Sequence, residues 1–73
     1  MPSHTVRDTP SFGAAVRERR KELGYTQEYL ARHLGCSPRF ISELERGKPT
    51  VEFGKALRVA QMLGIDIIAE KRG

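Results

Sequence analysis

Tryptophan is absent from this chain, cysteine occurs once, and Phe and Tyr together supply 7% of the residues. With Cys36 alone, no intramolecular disulfide and no CxxC metal site can staple the fold. Its position, just after Gly35, suits a half-buried small hydrophobe, with a redox-sensing thiol as the alternative. His4 and His33 show no metal-ligand spacing, no serine or cysteine has a base arranged near it, and no glycine-rich phosphate loop occurs. An enzyme, a metal and a cofactor are therefore not expected. No apolar run approaches the ~20 residues that span a bilayer. No stretch has the charged start and apolar h-region of a signal peptide. The expectation is a cytoplasmic protein, at the nucleoid if bacterial, with no membrane partner.

What the chain does have is positive charge. Its 73 residues carry a formal net charge of +4, and 9 of the 13 basic residues are arginine. That length gives one domain, near the size where a single core barely suffices. A basic balance suits polyanions, though many basic domains bind none.

The stretch from Thr26 to Gly47, TQEYLARHLGCSPRFISELERG, organises the rest. Thr26 is a good N-cap, and Leu30, Ala31 and Leu34 fall on one helical face. Gly35 supplies the positive φ that a sharp turn needs. Ser37 caps a second helix, and Pro38 at its first position loses no hydrogen bond. Ile41 and Leu44 form the buried stripe of that helix, while Arg39, Ser42, Glu43 and Arg46 point away and Phe40 falls on the flank. Ala31 and the Gly35 turn let the two helices cross closely at a steep angle. That is the geometry of a helix-turn-helix that offers one helix to a DNA major groove, the alternative being a plain helical hairpin.

Residues 1–8 lack periodicity and read as a flexible N-terminal arm, from which His4 and Arg7 could reach phosphates or a minor groove. Thr9-Pro10 repeats the cap-plus-proline signal and opens a helix over about 10–23, with Phe12, Ala15, Val16 and Leu23 inward and a mixed charged face carrying Arg17, Arg19, Arg20 and Lys21, interrupted by Glu18 and Glu22, outward. Thr50 reads as the cap of a last helix over about 51–63, with Phe53, Leu57, Ala60 and Leu63 on its inner face. Gly13 and Gly54 lie inside helices at a cost of about 1 kcal/mol each, which suggests close helix approach. The expected domain is thus 9–64, with helices at about 10–23, 27–34, 38–46 and 51–63.

Residues 65–70, Ile65-Asp-Ile-Ile-Ala-Glu70, are β-branched and partly alternating and read as a strand, followed by a tail at 71–73. A single strand leaves its donors and acceptors unpaired. The economical partner is the same strand of a second copy across a two-fold axis, with Ile65, Ile67 and Ile68 at the seam of a homodimer. The fold class expected is all-α, four helices with a short C-terminal β-strand pairing across a homodimer.

From about Pro10 to Leu63 the chain resembles the Cro/C1-type (XRE) helix-turn-helix family, through RERRKELGYTQEYLARHLGCSPRFISELERGK and VAQMLGI. The combination ISELERGKPTVEFGKALRVAQMLGIDI is similar to the HipB-like antitoxin subgroup. The resemblance implies a lambda-repressor-like domain and a small dimeric regulator paired with a HipA-like kinase toxin. By position it implies that Gln27 holds a DNA phosphate and that Ser37, Arg39, Phe40 and Ser42 meet bases or nearby phosphates. Pro38 stands where the family often has a polar reader. It further implies a buried structural salt bridge between Arg20 and Glu45.

The mechanism that follows is that of a repressor, a dimer setting two reading helices in successive major grooves about 34 Å apart on an inverted-repeat operator in double-stranded DNA. Arg39 is the leading base reader, bidentate to guanine. Ser42 would serve a nearby donor or acceptor. Glu43 would accept from cytosine N4, or repel phosphate and punish wrong registers. Gln27, Arg46 and Lys48 would hold phosphates. Two other readings stay open: a toxin-restraining interaction protein with DNA secondary, and a stand-alone phage-type repressor or restriction–modification controller.

Overall fold

The structure, a computed structural model, describes residues 5–73. Four helices occupy it: α1 (Thr9–Glu22), α2 (Gln27–Leu34), α3 (Pro38–Glu45) and α4 (Phe53–Met62). Each begins on a side chain that accepts from its own first turn, because those N–H groups have no helical partner. Thr26 Oγ1 accepts from Tyr29 N at 3.0 Å to start α2, and Ser37 Oγ from Phe40 N at 3.1 Å to start α3.

The other two starts differ from the sequence expectation. Asp8, not Thr9, caps α1: its Oδ1 accepts from Ser11 N at 2.9 Å while Ser11 Oγ accepts from Asp8 N at 3.1 Å, a reciprocal capping box. Thr9 is released for another task and donates to Gly47 O at 2.7 Å, which ties the start of α1 to the end of α3. Glu52, not Thr50, caps α4, its Oε2 accepting from Lys55 N at 2.7 Å. The helix therefore starts at Phe53, two residues later than expected. Side chains tilt toward a helix's N-terminus, so one at the first helical position projects past the end. Phe53 is accordingly 71% exposed rather than on the inner face. Leu23, expected inside, lies just beyond α1 as its C-cap and is 36% exposed.

The core is a single cluster in which Val16 of α1, Leu30 and Ala31 of α2, Ile41 and Leu44 of α3, and Ala56, Val59 and Leu63 at α4 meet. Its tightest seam joins α1 to α3. A Cβ on Gly13 would lie 2.6 Å from the carbonyl oxygen of Glu45, so only hydrogen fits there. The nearest atoms that a Cβ on Gly54 would meet belong to the Glu52 side chain, at 3.1 Å, not to the backbone of another helix. Close approach thus accounts for one of the two helical glycines. At the α2–α3 turn Gly35 has φ 68°, and Cys36 N donates to Ala31 O at 3.0 Å to close the end of α2. Gly47 after α3 combines φ 82° with a site where a Cβ would lie 2.8 Å from Pro10 N.

At the ends of the chain the expectations are revised again. Residues 1–4, including His4, lie outside the described residues. Arg7 is exposed, and its N–H donates to Ser11 Oγ at 2.9 Å. The strand expected over 65–70 is not formed in the single chain, and no strand occurs among the described residues. Ile65 N donates to Ala60 O at 2.8 Å and its side chain packs against the core. Beyond it Ile67 and Ile68 are 50% and 74% exposed. A strand exists only as part of a ladder, and one copy offers no second edge.

Candidate nucleic-acid interface

The helix-turn-helix is held from behind by one polar cluster. Arg20 of α1 forms a two-point contact with Glu45 at the end of α3, Nε to Oε2 at 2.6 Å and Nη2 to Oε1 at 3.1 Å. Its Nη1 donates to Tyr25 O at 2.8 Å. Gln27 at the start of α2 donates from Nε2 to Glu45 Oε1 at 3.1 Å. Both charged residues are 8% exposed, and no buried side-chain nitrogen or oxygen among the described residues lacks a partner. A fork-to-carboxylate pair in which every guanidinium nitrogen and both carboxylate oxygens have partners is the form in which a buried ion pair is tolerable. The Glu45 carboxylate holds the Arg20 guanidinium above its ordinary pKa. The cluster therefore fixes three elements, α1, α2 and α3, relative to one another.

From that fixed base α3 turns its other side outward. Ser37, Pro38, Arg39 and Arg46 are exposed, and Ser42 and Glu43 are half-buried between them. The Arg39 side chain keeps 84% of its surface. Glu43 sits between two cations: its Oε2 accepts from Arg39 Nε and from Lys48 Nζ, each at 3.3 Å. Lys48, and then Arg39, draw the Glu43 carboxyl below the usual carboxylate range against the opposing pull of partial burial. Phe40 takes a different place. It is half-buried against the core and lines a cleft with Leu34, Cys36 and Val59, and Lys55 Nζ stands 5.8 Å from its ring centroid. Burial there raises the Cys36 thiol, so it remains a protonated small hydrophobe at neutral pH.

The structure thus brings Arg39, Glu43 and Lys48 together, leaves Ser37 and Arg46 exposed and Ser42 half-buried, packs Phe40 against the core, and ties Gln27 to Glu45. Two arginines outside these candidates have work of their own. Arg19, on the face expected to be merely solvated, donates from Nε to Leu63 O at 2.9 Å. Arg58 donates from Nη2 to Leu34 O at 3.2 Å. Each satisfies a carbonyl at the end of another helix, where positive charge is favoured. The partners are 44 and 24 residues away, so no local pattern announces them.

Residues 16–68, which hold the core, the α2–α3 turn and the outward face of α3, match the model of the family described as Helix-turn-helix. The chain belongs to this XRE-type helix-turn-helix family. It is a DNA-binding transcriptional regulator. The HTH-type transcriptional regulator y4mF of Sinorhizobium fredii is 47% identical over 66 residues, which is 88% of this chain and 87% of that one. The ImmF control region 10 kDa protein of Bacillus phage phi105 is 28% identical over 82% of this chain and 67% of its own length. Among solved structures, a HipB–O4 20mer complex and a HipA–HipB–O2–O3 complex each align with TM-score 0.85, covering 97% of this chain and 100% of theirs. Their identity to the regulator is 18%, so this likeness is one of fold.

Proposed function

We propose that the regulator is a homodimeric repressor that reads an inverted-repeat operator with α3 and belongs to a HipB-like antitoxin system, autoregulating its operon and restraining a HipA-like kinase. In this reading residues 9–64 form the DNA-binding unit, residues 65–70 pair with the same segment of a second copy through Ile65, Ile67 and Ile68, and 71–73 are a tail. The observation that carries it is the contrast across α3: one side is locked by Ile41, Leu44 and Glu45, while on the other Arg39, held by Glu43, keeps 84% of its side-chain surface exposed. An arginine fork so placed can engage guanine O6 and N7. Ser37 and Ser42 complete the base-facing set, Glu43 stands paired with Arg39 and Lys48 beside them, and Gln27, Arg46 and Lys48 take phosphates. Phe40, turned toward the core, offers at most its ring edge. The fold likeness to HipB in complex with DNA and with HipA supports the antitoxin half of the proposal.

A footprint on the DNA upstream of its own gene, at about physiological salt, tests this directly. Protected blocks one helical turn apart are expected, and Arg39→Ala should weaken operator binding by about 1–3 kcal/mol. The same variant should still bind the product of a neighbouring kinase-like gene. No protection at micromolar protein would defeat the operator-reading proposal. The phage phi105 relative favours a second reading, a stand-alone phage-type repressor or restriction–modification controller. That reading has the same footprint and no toxin partner, so co-expression with the adjacent gene separates the two.

A further inference from the structure

Glu43 is an acid on the face that must approach a polyanion, and it is not there by default of burial or capping. Its carboxylate touches two of the cations assigned to DNA, Arg39 and Lys48, with one oxygen. The exposures are unequal: the Glu43 side chain is 19% exposed, Lys48 46% and Arg39 84%. The carboxylate is therefore the anchored member, and the arginine is the one that reaches outward from it. The bond to Arg39 is made through Nε. That occupies one edge of the guanidinium and leaves the Nη1–Nη2 edge, with its parallel N–H groups, for a ligand. Parallel N–H groups are what the paired acceptors of guanine require.

We propose that Glu43 is a specificity-determining, positioning residue: it orients the free edge of Arg39 toward the base and, by engaging Arg39 and Lys48 itself, keeps both from binding phosphate indiscriminately. The inference rests on the reading of Arg39 as a base reader. On non-operator DNA the Glu43 charge, shared between Arg39 and Lys48, offsets much of their attraction for phosphate, so binding there is weak. On the operator, Arg39 meets its base without leaving Glu43, because the two use different edges of the guanidinium. Glu43 thus acts mainly on the wrong complexes. Non-specific binding is almost wholly a matter of phosphate neutralisation and counterion release, so the effect has its own signature in salt.

The test compares Glu43→Gln with wild type on two duplexes, the footprinted operator fragment and a scrambled fragment of equal length and composition, across a salt series. The amide keeps the shape and removes the charge. Several-fold tighter binding to the scrambled duplex is expected. The slope of log K against log salt on that duplex should steepen by roughly one to two phosphate equivalents. The operator-to-scrambled ratio should fall by tenfold or more, and in an Arg39→Ala background most of the loss in that ratio should disappear. Glu43→Asp, which retains the charge, should restore the wild-type slope. Two results overturn the proposal. One is equal change on both duplexes with unaltered slopes, which would mean a purely structural role. The other is loss of operator binding alone with scrambled binding untouched, which would mean that Glu43 contacts a base itself. If wild type does not distinguish the duplexes, it is the operator-reading proposal that fails, so the two failures are separable.

Discussion

Replacing Arg20 with methionine removes a guanidinium but leaves the Glu45 carboxylate at 8% exposure with only Gln27 beside it. Breaking a buried pair from one side costs about 3–5 kcal/mol, because the survivor stays desolvated and unpaired. For a domain of this size each kcal/mol moves the melting temperature by roughly 4–8 °C, so Arg20→Met should lower it by at least ~12 °C in calorimetry. A drop of only a few degrees would mean that the carboxylate finds water or another donor. Replacing both partners by apolar residues should recover much of the loss. Charge also matters at Asp8, whose carboxyl is held below its ordinary pKa by the Ser11 backbone N–H, with the Ser11 hydroxyl assisting. A depressed folded-state value means that the unfolded chain takes up the proton first. The stabilisation is therefore complete above the ordinary aspartate range near ~3.9 and is lost as pH falls through the folded value. Asp8→Ala should melt below wild type at pH 7, and the gap should close below about pH 4. Asp8→Asn keeps an acceptor and should stay near wild type at pH 7. A gap that persists unchanged at pH 2 would show that the cap does not depend on the charge. Glu43 has the same sign, its carboxyl drawn down by Lys48 and Arg39.

Between elements, the α1–α3 seam depends on the absence of one methyl group. Alanine at position 13 would favour the helix by about 1 kcal/mol in isolation. Its Cβ, however, would stand 2.6 Å from the Glu45 carbonyl oxygen, and forcing atoms into a packed seam costs typically about 1–3 kcal/mol. Gly13→Ala should therefore be destabilising by thermal melting despite the better propensity. Gly54→Ala, opposed only by the Glu52 side chain, should stay within about 1 kcal/mol of wild type. The reverse order would place the tight contact elsewhere. The same comparison marks what could be read from the chain. Thr26, Ser37-Pro38 and Gly35 act within a turn of themselves, so the starts of α2 and α3 and the bend between them were legible. Asp8 and Glu52 were passed over because threonine-based signals, Thr9-Pro10 and Thr50, stood next to them. The choice between adjacent capping groups was decided by the tertiary bond from Thr9 to Gly47 and by the late start of α4. Arg19 and Arg58 were illegible for the same reason at longer range. On the outward face of α3 the sequence pattern separated Arg39 from Ile41 and Leu44, but the pairing of Glu43 with both Arg39 and Lys48 showed only in three dimensions.

At the scale of the molecule, the single chain leaves one apolar strip uncovered. Val6, Ile67 and Ile68 are 49%, 50% and 74% exposed, and they lie along a groove shared with Phe12, Ala15 and Ile65 between α1 and the C-terminal segment. Among the described residues, no backbone hydrogen bond from residues 66–70 adds to that of Ile65, so the segment offers both unpaired backbone and apolar side chains. Pairing with its own copy would satisfy both at once, and two-fold symmetry would set the two α3 helices for half-sites about 34 Å apart. The intact chain should therefore sediment as a dimer, and a chain truncated after Gly64 as a monomer. Its melting should fall by the loss of Ile65 from the core and of the dimer linkage, but the fold should persist, since Val16, Leu30, Ile41, Leu44, Val59 and Leu63 all remain. Operator affinity should fall far more than stability, because each half-site must then be bound separately, without the second attachment raising the effective concentration of the first. The slope of log K against log salt should be roughly halved, as one subunit neutralises half the phosphates. A truncated chain that remained dimeric would move the interface elsewhere, and the exposed Phe53 at the start of α4 would be the first place to look.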